Sequence, residues 1–570
     1  MLRQRALDFP DSPCYLFPER GQTCTWYSLW EEVQAVAAGL RRLGVQRHDR
    51  IAILMEGRTE QLVCIYAAIT AGAVAVPLST YLTKEELKGC LLEARPAVFI
   101  MGSAEQHLAY SQLEDVVAAG PEVLSETNWV PYHAFVQGAL MKSESVFQSY
   151  DALKTTSGSE VPAVGASPQT VHDPAFLLFS SGTTGKAKAI IRSAASFMAQ
   201  KPASETPKVN PFTSFLARKG NTYVNRYATL SLLPLYHLAG IGMLLTPLQV
   251  CNVRMVMLTR FNPVRGLEVI AQSKARFLIG TPHMVQAMLA LKQSATARLD
   301  SVLGVFFASA ALRPHVLEQT IRRFKSLYFF SVSYGSTETG AVATGTCFVN
   351  NRRHIAVSLL LRMMRSINYL DGEISLDTFS QTTASIGGKI ARQVEVGIRS
   401  PHTGAWLPAG QEGEIMVRSH RLMRYQDESN NQAHFEDGDW FKTGDLGYVD
   451  ARNCIMITDR LKRIISRGGE KIAPAEIERV MKQQPGIEDV LVLGIPDALY
   501  GEVVGAAFTE MSEGAVSVTA LREALRESLS SFKVPQHFLR LSALPLNASG
   551  KIAMAEVQNE LMQMAQQEYA

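Results

Sequence analysis

The stretch that decides the fold is Arg50-Ile-Ala-Ile-Leu-Met55, which is followed by a helical segment from Glu60 to Ala71 and then by Ala73-Val-Ala-Val76. The two apolar runs have the length of strands, and the segment between them has the length of a helix. A capping-box pattern, Thr83 with Glu86, predicts the start of another helix. Apolar strands that alternate with helices form parallel sheets covered on both faces. We therefore predict an α/β protein with ligands at the carboxyl ends of its strands.

The flanking sequence extends this organisation in both directions. Upstream, Ser28 and Glu31 form a capping-box pattern, and the apolar residues that follow at intervals of four and three predict an amphipathic helix ending near Gly44. Downstream, the Thr/Ser/Gly/Pro-rich stretch from Thr155 to Pro174 precedes a strand at Ala175–Phe179. This stretch is predicted to connect two lobes.

A second boundary lies near Asp459 to Arg463, ahead of a strand at Val490–Leu493. We predict a large N-terminal body of doubly wound, mostly parallel sheets over residues 1–461, with sub-lobes at about 1–154 and 175–461. A smaller α/β C-terminal domain is predicted over residues 462–570.

Composition excludes several classes of protein. The chain has 570 residues with 56 Lys+Arg against 53 Asp+Glu, and it contains no long basic run, so charge implies no nucleic-acid partner. The 7 cysteines are scattered and never spaced as CxxC, which argues against a disulfide framework or a zinc site and indicates a reducing compartment. No secretory signal opens the chain, and prolines interrupt the longest apolar segment, Leu232–Val250. We predict a cytoplasmic protein without a transmembrane segment, for which a peripheral membrane contact stays open.

The strongest local signal follows the strand at 175–179 directly: Ser180-Ser-Gly-Thr-Thr-Gly-Lys-Ala-Lys188. Its glycines and hydroxyl residues allow backbone N–H and side-chain O–H groups to surround an anion, and Lys186 and Lys188 add positive charge. A phosphate is the ligand that suits this loop. It is not a Walker A loop, because Ser180 replaces the first glycine and Ala187 follows Lys186. A polar turn without a ligand is the alternative for this loop taken alone.

Further motifs follow in a fixed order, with Asp459-Arg460 between the second and the third: Tyr334-Gly-Ser-Thr-Glu-Thr-Gly340, Trp440-Phe-Lys-Thr-Gly-Asp-Leu446, Ser466-Arg-Gly-Gly-Glu-Lys471 and Pro545-Leu-Asn-Ala-Ser-Gly-Lys551. Any one of them could be a turn. Together with the loop at 180–188, their order and spacing resemble the adenylate-forming superfamily, which includes acyl- and aryl-CoA synthetases, adenylation domains of peptide synthetases and luciferases. The resemblance extends from the helix at Trp26 to Lys551.

The resemblance implies a role for each motif. Thr337 and Glu338 would place phosphate and Mg²⁺, with Glu338 as the metal ligand, and Asp445 would bind the ribose hydroxyls. Lys551 would bridge the substrate carboxylate and the α-phosphate, and it would act in catalysis together with Lys188, Thr337 and Glu338. The implied ATP- and AMP-binding residues are Ser180, Ser181, Gly182, Thr183, Thr184, Gly185, Lys186, Tyr334, Gly335, Asp445 and Arg460.

These residue types suit the activation of an acid. A carboxylic acid is already ionised at neutral pH, so its attack on the α-phosphate needs no general base, only neutralised charge and in-line positioning. Lys551, Lys188 and Mg²⁺ would supply the cations. Glu338 suits a hard cation that keeps several waters, and Asp445 can accept two hydrogen bonds from a cis-diol. The products would be an acyl-adenylate and pyrophosphate.

A second half-reaction would transfer the acyl group to a thiol. The resemblance implies that the C-terminal domain is mobile and swings about a hinge at Lys462, so that Lys551 leaves the site. Gly468 and Gly469 would then line a tunnel for the pantetheine arm of CoA, where the absence of side chains allows close passage. A simple hairpin turn is the alternative for 466–471.

Three departures from the family pattern stand out. Ala187 and Ala189 replace the proline and glycine that usually flank the second lysine of the loop, and Arg192-Ser-Ala194 occupies the place of a histidine often seen downstream. The stretch 341–384 is longer than in most relatives, and within it Arg352–Arg365 has the spacing of an amphipathic helix. That helix could pack on its own body, contact a membrane or partner, or limit domain rotation as in fatty-acyl-AMP ligases.

The acid itself is only partly readable. Amino-acid-activating relatives carry an aspartate where this chain has His237, and an unpaired buried ammonium would be costly, so an α-amino acid is disfavoured. Relatives with histidine here commonly handle aryl or fatty acids. His237 could also be an ordinary hydrogen-bonded wall residue. Ser309 and Ser333, with Tyr334, are expected to line the same acyl pocket.

We therefore expect an AMP-forming acid–thiol ligase that uses ATP and Mg²⁺ to convert a small-molecule carboxylic acid into acyl-AMP and then into a CoA thioester. One alternative is transfer to the phosphopantetheine of an acyl carrier protein. Another, suggested by Ala187, Ala189 and the missing histidine, is a catalytically silent relative that acts as a scaffold. The second is weakened because Lys188, Glu338 and Lys551 are all retained.

Overall fold

A computed structural model describes most of the chain, in the following residues: 1–102, 128–131, 154, 170, 172–181, 187–197, 228–249, 253–310, 312, 314–349, 385–401, 403–436, 439–461, 464–512, 514–545 and 554–568. The chain divides into two compact units. The first comprises Met1–Thr80, Ala94–Leu178 and Ile190–Thr458, and the second comprises Tyr81–Glu93, Phe179–Ala189 and Asp459–Ala570. Both contain helices and sheets, which confirms the predicted α/β class. The predicted division at 461/462 stays a prediction.

The α-helices of the described residues are α1 (Leu2–Asp8), α2 (Trp26–Arg42), α3 (Thr59–Ala71), α4 (Lys84–Ala94), α5 (Leu238–Gln249), α6 (Pro263–Ser273), α7 (Pro282–Leu289), α8 (Pro314–Arg323), α9 (Glu428–His434), α10 (Pro474–Lys482), α11 (Val518–Ser528) and α12 (Met554–Glu568). Single turns of 3₁₀-helix lie at Pro18–Arg20, Ala194–Phe197 and Lys292–Ala295.

The strands of the described residues are β1 (Pro13–Phe17), β2 (Gln22–Thr25), β3 (Arg50–Leu54), β4 (Val74–Leu78), β5 (Val98–Met101), β6 (Asn128–Pro131), β7 (Pro174–Ser181), β8 (Ala187–Ser193), β9 (Ala228–Ser231), β10 (Arg254–Met257), β11 (Phe277–Gly280), β12 (Gly304–Phe307), β13 (Phe329–Ser336), β14 (Gly340–Phe348), β15 (Ser385–Ile390), β16 (Val394–Arg399), β17 (Trp406–Leu407), β18 (Gly413–Ser419), β19 (Arg424–Tyr425), β20 (Phe435–Glu436), β21 (Trp440–Val449), β22 (Cys454–Arg460), β23 (Ile465–Arg467), β24 (Glu470–Ile472), β25 (Ile487–Asp497), β26 (Gly501–Glu510) and β27 (His537–Arg540).

The stretch that predicted the fold forms the β3–α3–β4 crossover. β3 and β4 pair in parallel with Arg50 opposite Val74, and β5 pairs in parallel on the other side of β3. These strands belong to a sheet with the order β19-β8-β7-β4-β3-β5-β6. α3 is buried along most of its length, as expected for a helix whose apolar residues are not confined to one stripe.

One of the two predicted helix starts is confirmed and the other is wrong. Thr83 N–H donates to the Glu86 carboxylate at 2.8 Å and Glu86 N–H donates to Thr83 Oγ1 at 3.3 Å, so α4 begins with the predicted capping box. α2 begins three residues earlier than its predicted cap at Ser28. Its N-cap is Thr25, and Ser28 stands at the third helical position, where its hydroxyl accepts from Thr25 N–H.

The largest sheet has a parallel and an antiparallel half, in the order β17-β16-β18-β21-β22-β15-β14-β13-β12-β11-β9-β10-β1-β2, with β20 on β21. The run from β1 to β13 is parallel, whereas the pairings from β13 through β14 and β15 to β22 are antiparallel. The sequence predicted the parallel part. The antiparallel part begins where the β13–β14 hairpin reverses the chain.

The second unit has its own sheet and core. β25 and β26 pair antiparallel, β27 joins β26 in parallel, and β23 links β26 to β24. The predicted strand Val490–Leu493 lies inside β25. α10 and α11 pack their apolar side chains on one face of this sheet. α12 contributes a separate apolar cluster, in which its side chains pack against Leu491 and Ile495 of β25; these side chains are Val557, Leu561 and Ala565.

The apolar segment Leu232–Val250 is α5 with its preceding loop, and Pro247 lies inside the helix. Among the helices of the described ranges, none combines the length and the apolar character needed to cross a membrane. The amphipathic helix predicted at Arg352–Arg365 lies outside the described residues.

Candidate functional site

The acyl-pocket residues predicted from sequence lie at one edge of the parallel sheet. β9, β11, β12 and β13 are successive neighbours in that sheet and run in the same direction. His237 follows the carboxyl end of β9, Ser309 follows the carboxyl end of β12, and Ser333 lies in the second half of β13. This is the edge at which open α/β sheets bind ligands. The structure therefore places the three residues at the same edge of the sheet, and their role in an acyl pocket stays a prediction.

Two of these residues have local geometry that suits a binding edge. Ser309 is exposed and has a φ of 67°, a backbone conformation that a non-glycine residue rarely adopts and that is frequent at ligand sites. His237 is half-buried at the start of α5, where its carbonyl accepts from Ile241 N–H at 3.0 Å. Its ring centroid lies 4.7 Å from that of Tyr236.

The turn between β13 and β14 carries the predicted phosphate and metal residues, Thr337 and Glu338. Ser336 and Thr339 close this turn: Ser336 N–H donates to Thr339 Oγ1 at 2.9 Å, and Glu338 N–H donates to Ser336 Oγ at 3.2 Å. Gly335 is required by packing, because a Cβ there would lie 1.9 Å from the Gly340 carbonyl oxygen. The hydroxyl-rich sequence of the motif thus fixes a tight turn.

The Glu338 side chain is half-buried, and its main chain is also fixed by the segment before β19. Met423 N–H donates to the Glu338 carbonyl at 3.0 Å. The Tyr425 hydroxyl hydrogen-bonds the Glu338 carboxylate. Two causes raise the pKa of Tyr425 well above its ordinary value: burial of the side chain is the larger, and the nearby Glu338 carboxylate is the smaller. Tyr425 itself is held by Asn431, which exchanges two hydrogen bonds with its main chain at 2.9 and 3.0 Å.

Arg192 reaches the same turn from β8. Its side chain is 1% exposed, and it donates from Nη1 to the Thr337 carbonyl at 2.8 Å and from Nη2 to the Arg421 carbonyl at 2.9 Å. Burial lowers the pKa of Arg192 to about 10, although the nearby Glu338 carboxylate opposes that shift. Arg192 belongs to the Arg192-Ser-Ala194 stretch that occupies the place of the family histidine, and no motif predicted a role for it.

Asp445 and Tyr334, two of the predicted nucleotide-binding residues, are in direct contact. The Tyr334 hydroxyl donates to Asp445 Oδ2 at 2.8 Å, which joins β13 to β21. Asp445 is 6% exposed, and its N–H donates to Thr443 Oγ1 at 3.1 Å. A carboxylate is an acceptor-only group with about four lone-pair sites, a chemistry that suits a pair of sugar hydroxyls.

The anion-binding loop is described at its two ends. Ser180 and Ser181 end β7, and Lys188 is half-buried in β8. Ser181 is described by its backbone only. The residues between the strands, Gly182, Thr183, Thr184, Gly185 and Lys186, lie outside the described residues. A strand, a glycine-rich connection and a second strand agree with the predicted place of the loop after a buried strand.

The predicted thiol-tunnel glycines form the turn of the β23–β24 hairpin. Arg467 pairs with Glu470, and the two residues between them, Gly468 and Gly469, have φ of 62° and 104°. A two-residue hairpin loop with positive φ at both positions favours glycine for backbone reasons alone. The turn therefore explains both glycines without a ligand, and their tunnel role stays a prediction.

The remaining predicted residues are placed only in part. Arg460 is the last residue of β22 and is described by its backbone, whereas Lys462 and Lys551 lie outside the described residues. Their roles as nucleotide contact, hinge and catalytic lysine stay predictions.

The described residues fit ATP with Mg²⁺. Magnesium keeps several waters and is usually held by one or two carboxylates together with substrate phosphates. Glu338 supplies one oriented carboxylate, and within the described part of the chain no group of three or more His, Cys, Asp or Glu residues gathers into an all-protein cage. When bound, Mg²⁺ would neutralise phosphate charge beside Glu338.

Solved structures share this fold. The chain superposes on o-succinylbenzoate CoA synthetase from Bacillus subtilis with a TM-score of 0.70 and 23% identity, covering 99% of this chain and 98% of that one. Amide bond synthetase from Marinactinospora thermotolerans gives a TM-score of 0.73 with 20% identity, covering 98% and 99%. These similarities define the class of fold.

Sequence comparison defines the family. The family model described as AMP-binding enzyme matches residues 2–425, and the model described as AMP-binding enzyme C-terminal domain matches residues 476–551. The chain therefore belongs to the AMP-binding enzyme family, as its motifs predicted. 4-Coumarate–CoA ligase 2 of Oryza sativa subsp. japonica is 26% identical, covering 98% of this chain and 91% of that protein. Indoleacetate–CoA ligase of Aromatoleum aromaticum is also 26% identical, covering 96% and 95%.

Sequence reasoning missed the residues that hold the site residues in place. These are Arg192 and Tyr425, which surround the Glu338 turn, and Thr443, which accepts from the Asp445 main chain. For Thr443 a signal was present, because a hydroxyl two residues before a buried carboxylate is a common turn element. Arg192 and Tyr425 contact the turn only through the tertiary fold.

Proposed function

We propose that the protein is an AMP-forming acid–thiol ligase that activates a carboxylic acid with ATP and transfers the acyl group to CoA. The observation that carries the proposal is the buried Asp445 carboxylate, oriented by Tyr334 at 2.8 Å, within a chain of the AMP-binding enzyme family. A buried carboxylate, which only accepts hydrogen bonds, suits the ribose hydroxyls of a nucleotide.

In the first half-reaction, a carboxylate oxygen of the acid bonds to the α-phosphorus of ATP and the bond to pyrophosphate breaks. The acid is ionised at neutral pH, so no residue has to remove a proton. Asp445 and Tyr334 would fix the ribose, the 180–188 loop with Lys188 would hold the β- and γ-phosphates, and Glu338 would place Mg²⁺. Lys551 would neutralise charge between the carboxylate and the α-phosphate.

In the second half-reaction, the sulfur of CoA bonds to the acyl carbonyl carbon and the bond to AMP breaks, while the thiol proton passes to solvent. The proposal includes domains at 1–461 and 462–570, rotation about Lys462, and a thiol path beside Gly468 and Gly469. This second arrangement is supported by chemistry, because the thiol can attack the acyl carbonyl only in a site that Lys551 and the triphosphate do not crowd.

An aryl or fatty acid is the proposed substrate. His237 stands at the carboxyl edge of the parallel strands, where an α-ammonium would need a carboxylate partner. The relatives support the aryl choice, since they include the 4-coumarate and indoleacetate CoA ligases and feruloyl-CoA synthase of an Amycolatopsis species.

A reducing, cytoplasmic setting is part of the proposal. It is supported by the cysteines, which are scattered along the sequence without a CxxC spacing and are buried where the structure describes them.

The test is pyrophosphate release from ATP and Mg²⁺ over a panel of aryl, fatty and amino acids, with and without CoA, and with the acyl product identified by mass. We expect turnover with one class of aryl or fatty acid, and an increase in turnover when CoA is added. If CoA does not change turnover and the acyl group is transferred to a phosphopantetheinylated carrier protein instead, the acceptor in the proposal becomes the carrier protein and not CoA. No release with any acid would contradict the enzyme and favour a silent scaffold.

A further inference from the structure

Arg192 is a buried arginine that is surrounded by hydrogen-bond partners, and the proposed reaction assigns it no role. The guanidinium is buried and donates to three main-chain carbonyls: Thr337 at 2.8 Å, Glu338 at 3.4 Å and Arg421 at 2.9 Å. Its Nε donates to Ser196 Oγ at 3.1 Å, and a Cβ at Gly340 would lie 2.9 Å from Nη2. The surrounding residues thus leave room for this side chain and fix it from several directions.

The first two carbonyls flank a single residue. The Thr337 carbonyl belongs to the peptide group before the Glu338 Cα, and the Glu338 carbonyl belongs to the peptide group after it. A donor that holds both oxygens restricts the two peptide planes that meet at this Cα, and so restricts the direction of the Cα–Cβ bond. Arg192 therefore acts on the orientation of the Glu338 carboxylate without touching that carboxylate.

The third carbonyl extends this control to the other side of Glu338. Arg421 begins the segment that leads to Met423, whose N–H donates to the Glu338 carbonyl, and to Tyr425, whose hydroxyl bonds the carboxylate. One guanidinium thus ties the main chain of Glu338 to the segment that carries its side-chain partner. A planar group with five donors can do this, whereas the ammonium of lysine has three donors on a single atom.

We propose that Arg192 is a positioning residue for the metal-binding carboxylate, holding the Thr337–Glu338 turn and the segment 421–425 in the arrangement that binds Mg²⁺ with ATP. This inference rests on the proposed function, because it assigns the metal to Glu338. The inference predicts that loss of Arg192 weakens the binding of ATP with Mg²⁺ but not the binding of AMP. In the proposed function, AMP binding depends on Asp445 and not on Glu338. Loss of an orienting partner of a metal ligand typically weakens metal binding or activity about 10- to 100-fold.

The experiment measures the affinities of the whole protein for AMP, for ATP with Mg²⁺ and for ATP with EDTA by calorimetry, without any acid. Arg192→Met keeps the length and apolar stem of the side chain and removes all of its donors. We expect its affinity for ATP with Mg²⁺ to fall about 10- to 100-fold, to the level seen with EDTA, while its affinity for AMP stays that of the wild type. Arg192→Lys should lose less. Arg418→Met is the control, because Arg418 is an exposed arginine paired with Glu395 at 2.5 Å.

The outcomes separate this inference from the proposed function. Equal Mg²⁺-dependent affinity in Arg192→Met and the wild type would overturn the positioning role, and so would a parallel loss of AMP and ATP, which indicates a general collapse of the site. If Arg192→Met does not fold, Arg192→Lys decides: selective loss of the Mg²⁺-dependent part supports the inference, and unchanged affinities overturn it. A wild-type protein that binds neither nucleotide would overturn the proposed function, and the inference with it.

Discussion

At the scale of single residues, the proposed nucleotide site contains one hydrogen-bonded pair, Tyr334 and Asp445. We expect Asp445→Asn to raise the KM for ATP about 10- to 100-fold, because it replaces a charged acceptor of the ribose hydroxyls by an amide. Tyr334→Phe removes only the orienting hydroxyl, and its effect should be about 3- to 10-fold. The measurement is the KM for ATP at saturating acid, with unfolding by urea as the check on stability.

A matched control for this pair is Tyr27→Phe. Tyr27 also donates its hydroxyl to a carboxylate, that of Glu31 at 3.0 Å, but the pair is exposed on α2. We expect an unchanged KM for ATP in this variant. A KM for ATP that does not change in Asp445→Asn either would contradict the assignment of Asp445 to the ribose.

Tyr334, Glu338 and Asp445 could be proposed as site residues from the sequence because they lie in short motifs with fixed spacing. The sequence could not predict Arg192. The partners of Arg192 are main-chain carbonyls, and the first of them is 145 residues away. Any residue type supplies a main-chain carbonyl, so the contact leaves no pattern in the chain, and only the folded structure reveals it.

At the scale of elements, α4 is anchored within the second unit by a buried charge cluster. Lys533 Nζ lies 2.5 Å from Glu86 of α4 and 2.8 Å from Glu476 of α10, and all three side chains are at most 11% exposed. Ser530 donates to Glu86 as well. Because removal of one partner leaves an uncompensated buried charge, we expect Lys533→Met to lower the free energy of unfolding by about 3–5 kcal/mol in urea denaturation.

Loss of the charge at Glu86 and at Glu476 should lower the free energy of unfolding by different amounts. Burial raises the pKa of Glu86, but Lys533 outweighs it and holds the net pKa below the ordinary 4.5, whereas the pKa of Glu476 is raised by burial and is only partly lowered by Lys533. We therefore expect Glu86→Gln to destabilise more than Glu476→Gln. Lys482→Met is the control, since its pair with Asp489 is half-exposed and should contribute less than about 1 kcal/mol. Equal losses in both glutamine variants would contradict the assignment of the charge to Glu86.

The same cluster predicts a pH dependence. Burial lowers the pKa of Lys533, yet Glu476 and Glu86 outweigh burial and raise it above the ordinary 10.5. A cation with a raised folded pKa stabilises fully below its unfolded pKa, and this stabilisation disappears as the pH rises through the folded pKa. The difference in unfolding free energy between the wild type and Lys533→Met should therefore be constant from neutral pH, where both carboxylates are ionised, up to the ordinary lysine pKa of 10.5, and shrink above it. A difference that grows with alkaline pH would contradict this sign.

Helix starts show what element prediction can and cannot reach. The Thr83–Glu86 capping box was predicted correctly because threonine and glutamate at this spacing are its usual pair. At α2 the same rule selected Ser28 with Glu31, whereas the fold uses Thr25 with Ser28. Both pairs have a spacing of three, so the spacing rule does not choose between them. In the fold the helix begins at Trp26, whose side chain is fully buried.

At the scale of the whole molecule, the α/β class followed from apolar strands alternating with helices, since that pattern is local. The antiparallel half of the large sheet did not follow. Its order depends on contacts between segments far apart in the chain, such as the pairing of β15 with β22. The Tyr334–Asp445 pair crosses between β13 and β21, so the geometry of the site depends on the part of the fold that sequence did not predict.

The whole-molecule hypothesis is that one protein uses two arrangements, one for each half-reaction. Lys551→Ala should slow adenylate formation about 10²- to 10³-fold, as loss of a charge-stabilising donor does, yet leave thioester formation from synthetic acyl-adenylate largely intact. Gly468→Asn should show the opposite pattern, with pyrophosphate release kept and the thiol step slowed about 100-fold. The two half-reactions are measured separately by pyrophosphate release and by acyl-CoA formation.

Asparagine is the right substitute at Gly468, because the φ of 62° lies in the left-handed region that asparagine tolerates, so the hairpin turn is kept while a side chain is added. Gly514→Asn is the matched control: Gly514 has a φ of 77° in the same unit, and a Cβ there meets nothing within 4 Å. A slow thiol step in both glycine variants would trace the effect to backbone strain. A thiol step of wild-type speed in Gly468→Asn would move the thiol path away from this turn, since the added side chain would then stand clear of the pantetheine arm. If Lys551→Ala damages both half-reactions equally, the two steps share one arrangement, and rotation about Lys462 is no longer needed to explain catalysis.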